Sequence, residues 1–278
     1  MTQRIAVLQM RSGIDPAANT ETMTAAIATA SAEGAEIVFT PEMSGLLDRD
    51  RKRASSVIAT EDDDTVLAAV RAEAAAHNIW VHLGSLALRS APGSDRFVNR
   101  GFLIDGEGQI RARYDKMHLF DVDLDTGESW RESAVYDGGD KAVVADSPVG
   151  RIGLSVCYDI RFPRLYQNLA DAEATLLTVP AAFTVPTGKA HWHVLLRARA
   201  IENAAFVVAA AQHGKHEDGR ETFGHSVVVD PWGEVLLDMG DGEGLGFAEI
   251  DRARLSEVRR RIPVGQHRRE ISAAELQS

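Results

Sequence analysis

One cysteine in 278 residues excludes an internal disulfide, and with it the small stapled folds of secreted chains. Basic residues are in deficit: 30 Lys and Arg stand against 41 Asp and Glu, a formal charge of −11. A body of that sign is a poor general partner for nucleic acid, because phosphate contacts need clustered Lys and Arg. No apolar run approaches the ~18 residues of a membrane span. The opening MTQRIAVLQM has no long apolar stretch followed by a small-residue cleavage site, so it does not read as a signal peptide. The expectation is a cytoplasmic protein that meets neither membrane nor nucleic acid. Signatures are missing as well. No G-x-S-x-G, no G-x-x-x-x-G-K-[ST] and no helix-opening G-x-G-x-x-G occurs, which removes the nucleotide and serine-hydrolase motifs.

What is present is an ordinary globular composition, 45% hydrophobic and 26% charged, in a chain long enough for a large core. Apolar runs alternate with Ala-rich amphipathic stretches. Ile5 to Met10 reads as a strand. Asp15 and Pro16 form a helix start, and Gly34 is placed to end that helix. AEIVFTP reads as a strand ending at Pro41. The acidic run Glu61 to Asp64 precedes a helix that His77 and Asn78 close, then IWVHLGSLAL reads as a strand and GFLIDGEGQIRARY as a hairpin. The order then recurs. RIGLSVC echoes RIAVLQM, ATLLTVP echoes EIVFTP, a helix with Trp192, Leu195, Leu196 and Ile201 precedes the strand AAFVVAAAQ, and HSVVVDPWGEVLLD is a second hairpin.

Two copies of β-α-β-α-β-β, in register over four segments, point to a duplication. Strand–helix–strand units favour parallel pairing with helices on one face. Two such halves, about 1–116 and 150–250, predict two mixed sheets face to face with helices outside, a four-layer α-β-β-α sandwich. Each half alone would leave one sheet face bare, so 1–278 is expected to be one domain. Met117 to Asp140 reads as a long irregular connection of the kind that is usually functional. The stretch 251–278 holds seven Arg and four acidic residues, hence +3 against −14 for the rest. It reads as a surface helix, Arg252 to Arg261, plus a basic arm suited to an acidic neighbouring subunit.

Cys157 ends an apolar strand and is followed by the polar stretch YDIRFP. Ligands gather at the carboxyl ends of strands in α/β sheets, and a thiol near a helix N-terminus can be held as thiolate. Glu42 ends a strand of the first half, and the duplication would bring the two strand ends together. Lys116 follows the first hairpin. A thiol needs a base, and acyl transfer needs an oxyanion stabiliser, so Glu42, Lys116 and Cys157 form a chemically complete set.

VFTPEM around Glu42, YDKMHLFDVDL around Lys116 and LSVCYDIRFPRL around Cys157 resemble the three signature blocks of the nitrilase superfamily, the carbon–nitrogen hydrolases. The resemblance covers nearly the whole chain, including AFTVPTGKAHWHVLLRARAIEN and GHSVVVDPWGEV, and is strongest to the Nit branch of amidases. After QHRR the chain departs from that branch with EISAAELQS. The resemblance implies the same sandwich, no metal or organic cofactor, a homodimer or higher homo-oligomer, and a thioester mechanism on a small amide. It assigns Glu42 as general base, Cys157 as nucleophile, Lys116 and the Tyr158 N–H as oxyanion donors, and Glu132 as the second glutamate beside them. It also implies an anionic 2-oxo-acid amide as substrate, deaminated glutathione first and 2-oxoglutaramate second. In an acidic protein such a substrate needs a cationic anchor, and Arg161 and Arg164, just after the nucleophile, are the candidates. Tyr158 and Phe183 are candidates for the pocket wall.

Two rival readings come from other classes. His191, His193, His213, His216 and His225 could suggest a metal enzyme, but the two-residue spacing of His191 and His193 on a helix points them apart and no closed ligand pattern follows. A catalytically silent binding module would not need the thiol, carboxylate and amine together.

Overall fold

The computed structural model describes residues 2–123, 127 and 129–277. The first half runs β1 (Thr2–Gln9), α1 (Pro16–Ala32), β2 (Ile37–Phe39), α2 (Arg51–Val57), α3 (Thr65–His77), β3 (Trp80–Arg89), β4 (Phe97–Ile104) and β5 (Ile110–Asp115). Short strands β6 (Asp121–Asp123), β7 (Ser129–Arg131) and β8 (Tyr136–Asp137) follow. The second half runs β9 (Val143–Ser147), β10 (Gly150–Leu154), α4 (Pro163–Asp171), β11 (Leu176–Thr178), α5 (Val185–Asn203) and β12 (Phe206–Ala209). It continues through β13 (His213–Lys215), β14 (Glu221–Phe223), β15 (Val227–Val229) and β16 (Val235–Asp238). Strand β17 (Gly244–Asp251) and helices α6 (Arg252–Arg261) and α7 (Val264–His267) close the chain.

Local chemistry sets the helix ends. The Asp15 side chain accepts from the Ala17 N–H with Pro16 at the first helical position, and Gly34 turns the chain away at φ 78°. Asp64 accepts from the Leu67 N–H, and Asn78 caps α3 in the left-handed region. Asp251 does the same for α6 through the Ala253 N–H.

The duplication is visible in the strand order. One sheet is β17-β1-β2-β3-β4-β5 and the other is β16-β15-β12-β11-β10-β9. Within them β1, β2 and β3 pair in parallel, as do β10, β11 and β12, and each set ends in an antiparallel neighbour, β4 or β15. Alternation along the strands divides the interior. Ile5, Val7, Ile37 and Phe39 face a core shared with β10, β11 and β12, while Ala6, Leu8 and Val38 face the layer formed with α1 and α3. Burying each large aliphatic or aromatic side chain of these layers contributes roughly 1.5–3 kcal/mol. The result is the expected α-β-β-α sandwich.

The stretch 117–140 differs from the irregular connection expected. Strands β6 and β7 form an antiparallel hairpin there, and β8 adds in parallel to β4. Residues 124–126 and 128 of that stretch lie outside the described residues. The surface helix expected at Arg252 to Arg261 is α6. Arg252 donates to the Pro148 carbonyl, Arg254 pairs with Asp230, and Arg259 donates to the Ala174 and Ala204 carbonyls, so these guanidiniums are satisfied within their own chain. No helix among the described residues is long and apolar enough to cross a membrane.

Candidate active site

Three strand ends converge on one cavity. Glu42 lies three residues past β2, Lys116 directly follows β5, and Cys157 lies three residues past β10. Their exposures are 4%, 2% and 8%. The two halves meet closely here, and Gly84 in β3 permits it. A Cβ at that position would sit 2.1 Å from the Thr40 carbonyl oxygen, 2.5 Å from that of Pro41 and 2.6 Å from the Pro180 Cβ.

Cys157 opens a 3-10 turn, Cys157–Arg161, with φ +50°, a left-handed conformation that costs a residue carrying a Cβ. The strain is held from several sides. The Cys157 N–H donates to the Pro180 carbonyl at 2.8 Å. Buried Asp159 accepts from the Val156 N–H at 2.9 Å, the Tyr114 hydroxyl at 2.7 Å and the His118 N–H at 3.0 Å. The His118 ring bonds the same carboxylate at 2.7 Å and stacks on Phe162. Tyr158 sits in the first turn, where N–H groups lack an intrahelical acceptor.

Around Glu42 every neighbour is a donor. Oε1 accepts from Lys116 Nζ and Asn99 Nδ2, both at 2.9 Å, and Oε2 accepts from the Ala182 N–H at 2.8 Å. The Cys157 thiol lies beside the same carboxylate. Lys116 is shared with Glu132, at 3.1 Å from Oε1 and 2.9 Å from Oε2, and Glu132 is itself held by the Phe120 N–H at 2.7 Å.

These contacts set the charge states. Burial alone would raise the Glu42 carboxyl, but the Lys116 ammonium, the neighbouring thiol and the Ala182 N–H outweigh it, and its pKa lies below the usual value. Burial would neutralise Lys116, but Glu132 and Glu42 hold its pKa well above the ordinary range. Burial and then the Glu42 charge push the Cys157 thiol well above 9.0, and Lys116 only partly offsets them. The resting site is therefore a neutral thiol beside an ionised carboxylate, not the thiolate that the strand-end position suggested. Desolvation and a like charge outweigh the short turn.

The cavity has a volume of about 700 Å³, and Tyr158 and Phe183 are among the residues that line it. Arg161 and Arg164 are not. The Arg161 guanidinium lies against the rings of that wall, 5.9 Å from the Tyr158 ring centroid and 5.4 Å from that of Phe183, with its Nη atoms 3.3 Å from His191 Nδ1. Arg164 is exposed at the start of α4. Arg161 is one 3-10 turn on from Tyr158 and shares its face, but its guanidinium is taken up by the two rings and His191 rather than by the cavity. The guanidiniums that do line the cavity belong to Arg49, Arg51, Arg131 and Arg220.

The histidines are dispersed with one exception. His213 accepts from the Gly242 N–H, and buried His216 bridges the Ser12 carbonyl and the Thr222 hydroxyl. His193 Nε2 and His225 Nδ1, however, both bond Asp238 at 2.9 Å, a trio whose ligand-capable atoms lie within 4.8 Å of one another. The spacing of the histidines in sequence did not show this grouping, and none of the three lines the cavity.

Asn99 is the site residue that sequence reasoning missed. It is fully buried and joins both carboxylates, Glu42 at 2.9 Å and Glu132 at 3.3 Å. Its signal was a lone amide inside the apolar strand FVNRGFLI.

A neutral thiol, an ionised carboxylate and an ammonium at the floor of a cavity between duplicated halves are the equipment of a thiol-dependent acyl-transfer enzyme. The comparisons agree with that class. The chain belongs to the carbon–nitrogen hydrolase family, whose profile matches residues 4–260. It is 41% identical to a deaminated glutathione amidase of Yersinia enterocolitica over 241 residues, which cover 86% of this chain and 84% of that protein. The crystal structure of the NitFhit protein of Caenorhabditis elegans superposes with a TM-score of 0.89 at 39% identity, covering 96% of this chain and 65% of that one. An amidase from Nesterenkonia sp. AN1 superposes with a TM-score of 0.78 at 27% identity, covering 94% of this chain and 98% of that one; that structure, of a glutamate-to-glutamine variant, shows acrylamide added to the active-site cysteine.

Proposed function

We propose that this chain is an amidase that hydrolyses deaminated glutathione to 2-oxoglutarate and Cys-Gly through a thioester on Cys157. One observation carries the reading: a thiol kept neutral by burial lies beside a carboxylate kept ionised by a buried lysine. That pair can transfer a proton as the sulfur attacks, with no prior ionisation.

Glu42 takes the Cys157 proton as the sulfur adds to the amide carbonyl. The oxyanion is received by Lys116 and the Tyr158 N–H. Glu42 then gives its proton to the departing amine, the C–N bond breaks and Cys-Gly leaves. Water, deprotonated by Glu42, adds to the thioester. Collapse releases 2-oxoglutarate and returns the proton to the sulfur. Glu132 and Asn99 keep Lys116 and Glu42 in place throughout.

The name borne by the Yersinia relative supports the peptide-like substrate. 2-Oxoglutaramate, with ammonia as leaving group, is the second substrate to compare. The test is 2-oxoglutarate release from each amide by purified protein, paired with intact mass measurement. Turnover lost in Cys157→Ala, together with an acyl adduct of the 2-oxoglutaryl mass on the wild type, supports the reading. No 2-oxoglutarate from either amide refutes it.

The chain is further proposed to work as a homodimer in a reducing, cytoplasmic setting. Val194 and Ile201 on α5, Trp232 just before β16 and Leu236 within it are 68%, 49%, 47% and 41% exposed, apolar groups that a second copy would cover.

A further inference from the structure

The floor of the cavity accounts for the amide and says nothing of what lies beyond it. Glu42, Lys116 and Cys157 are buried at that floor, whereas Arg49 and Arg51 line the same cavity from exposed positions. Among the described residues neither of these two guanidiniums has a carboxylate partner. Arg49 lies 5.4 Å from the Trp130 ring centroid, and Arg51 donates only to the Arg131 carbonyl at 3.0 Å. Arg220 lies 5.1 Å from the same indole, but Asp218 neutralises it at 2.7 Å and fixes the Arg49 backbone N–H at 2.9 Å. Asp218 thus holds the arginines in position without cancelling Arg49. The Trp130 Nε1–H is out of contact with solvent and has no acceptor. Closed off in this way it does not face the cavity, so the donors at the cavity wall that lack a carboxylate among the described residues are the two guanidiniums.

We propose that Arg49 and Arg51 form a second subsite at the mouth of the cavity, which takes a carboxylate on the leaving-group side of the scissile amide. A guanidinium is a donor only, and an ionised carboxylate is an acceptor only. An amide whose leaving group is a dipeptide carries its terminal carboxylate outward from the sulfur, towards these donors. Ammonia, the leaving group of a primary amide, has nothing to place there. The volume of about 700 Å³ lies well inside the ~300–1,000 Å³ range of pockets that enclose drug-sized ligands, so an extended dianion has room. The enzyme therefore selects amides with an anionic, peptide-like leaving group over primary amides. This inference rests on the 2-oxo-acid amidase reading above and adds the part of the substrate that reading leaves unplaced.

The experiment compares three substrates: deaminated glutathione, its analogue with a C-terminal carboxamide, and 2-oxoglutaramate. Each is assayed with the wild type, Arg49→Gln, Arg51→Gln and the double variant. For deaminated glutathione the double variant should lose roughly tenfold or more in kcat/KM, mostly through KM, as expected for lost charge-assisted hydrogen bonds. For the carboxamide analogue the same substitutions should cost no more than about twofold, because the charge they answer is gone. Wild-type turnover of deaminated glutathione should also fall with ionic strength more steeply than that of the analogue. Equal losses on the carboxylate and the carboxamide would overturn the subsite alone. Failure of the wild type to release 2-oxoglutarate from any of the three would overturn the functional reading, and the subsite with it.

Discussion

Replacing Glu42 by glutamine separates two effects that a charge removal usually mixes. The carboxylate is surrounded by donors: Lys116 and Asn99 on one oxygen, the Ala182 N–H on the other, and the thiol beside them. An amide that keeps its oxygen toward Lys116 and Asn99 sets its NH2 against the Ala182 N–H, so the bond that N–H made to a charged acceptor is lost, a cost of about 1.5–3 kcal/mol. Two changes offset this. The desolvation penalty of the buried carboxylate disappears, and Lys116 keeps Glu132 at 2.9 Å, so no buried charge is stranded. The net stability change should stay within about 2 kcal/mol. Catalysis has no such compensation. A general base contributes ~10²–10⁴, and Glu42 serves both the formation and the hydrolysis of the thioester, so turnover should fall by at least about 10³. The thiol should move the other way. The Glu42 charge is the second cause of its raised pKa, and the opposing Lys116 remains, so Glu42→Gln should lower it. With one cysteine in the chain, the pH profile of alkylation by a neutral electrophile reads this thiol alone. The expected outcome is a folded variant whose thiol ionises at lower pH while 2-oxoglutarate release collapses. Turnover within tenfold of the wild type, or an alkylation profile that stays in place or moves upward, would refute the reasoning.

Asn99→Asp adds a third carboxylate to the cluster, so Glu42 becomes harder to ionise and the acid limb of kcat/KM should move to higher pH; Asn99→Ala should cost about tenfold to a hundredfold without that shift. His82 is buried, and desolvation depresses its pKa from 6.5 to about 3, so the unfolded chain binds the extra proton between those values. Stability is therefore complete above pH 6.5 and falls as pH drops towards 3, by on the order of 3 kcal/mol at pH 4, and thermal melts of His82→Asn should show a shallower acid decline. Truncation after Ile262 removes α7 and the Arg268 contact to Asp171, and light scattering should then show a dimer more sensitive to dilution; a full-length monomer at micromolar concentration contradicts the dimer itself.

The sandwich was legible because its strands are apolar and its duplication repeats them in order. RIAVLQM and RIGLSVC became β1 and β10, and EIVFTP and ATLLTVP became β2 and β11, at equivalent places in two sheets. What escaped were strands with no periodicity to read. β6 and β7 are the polar triplets Asp-Val-Asp and Ser-Trp-Arg, held by cross-strand pairing and by the Arg131–Asp123 ion pair rather than by a buried face. Hairpins of that kind are fixed by tertiary context, and single-chain patterns under-report them.

The site divides in the same way. Glu42 and Cys157 each lie three residues past an apolar strand, so strand-end logic reached both, whereas Lys116 follows the polar hairpin strand β5 and was legible only as the cation that completes their chemistry. The cationic lining did not follow that logic. Arg161 and Arg164 are close to Cys157 in sequence, but the Arg161 guanidinium packs on the Tyr158 and Phe183 rings beside His191, and Arg164 is exposed at the start of α4. The arginines that line the cavity come from positions 49, 51, 131 and 220, and in the sequence each is indistinguishable from solvated surface charge. Only the fold brings the 48–51 stretch, the β6–β7 hairpin and the loop before β14 around one indole. Chemistry done at strand ends is thus written locally, whereas selection of the leaving group depends on loops that meet only after the two halves have packed. Exchange of Arg49 and Arg51 is accordingly expected to redirect substrate choice while the cluster of Glu42, Lys116 and Cys157 keeps its hydrogen bonds.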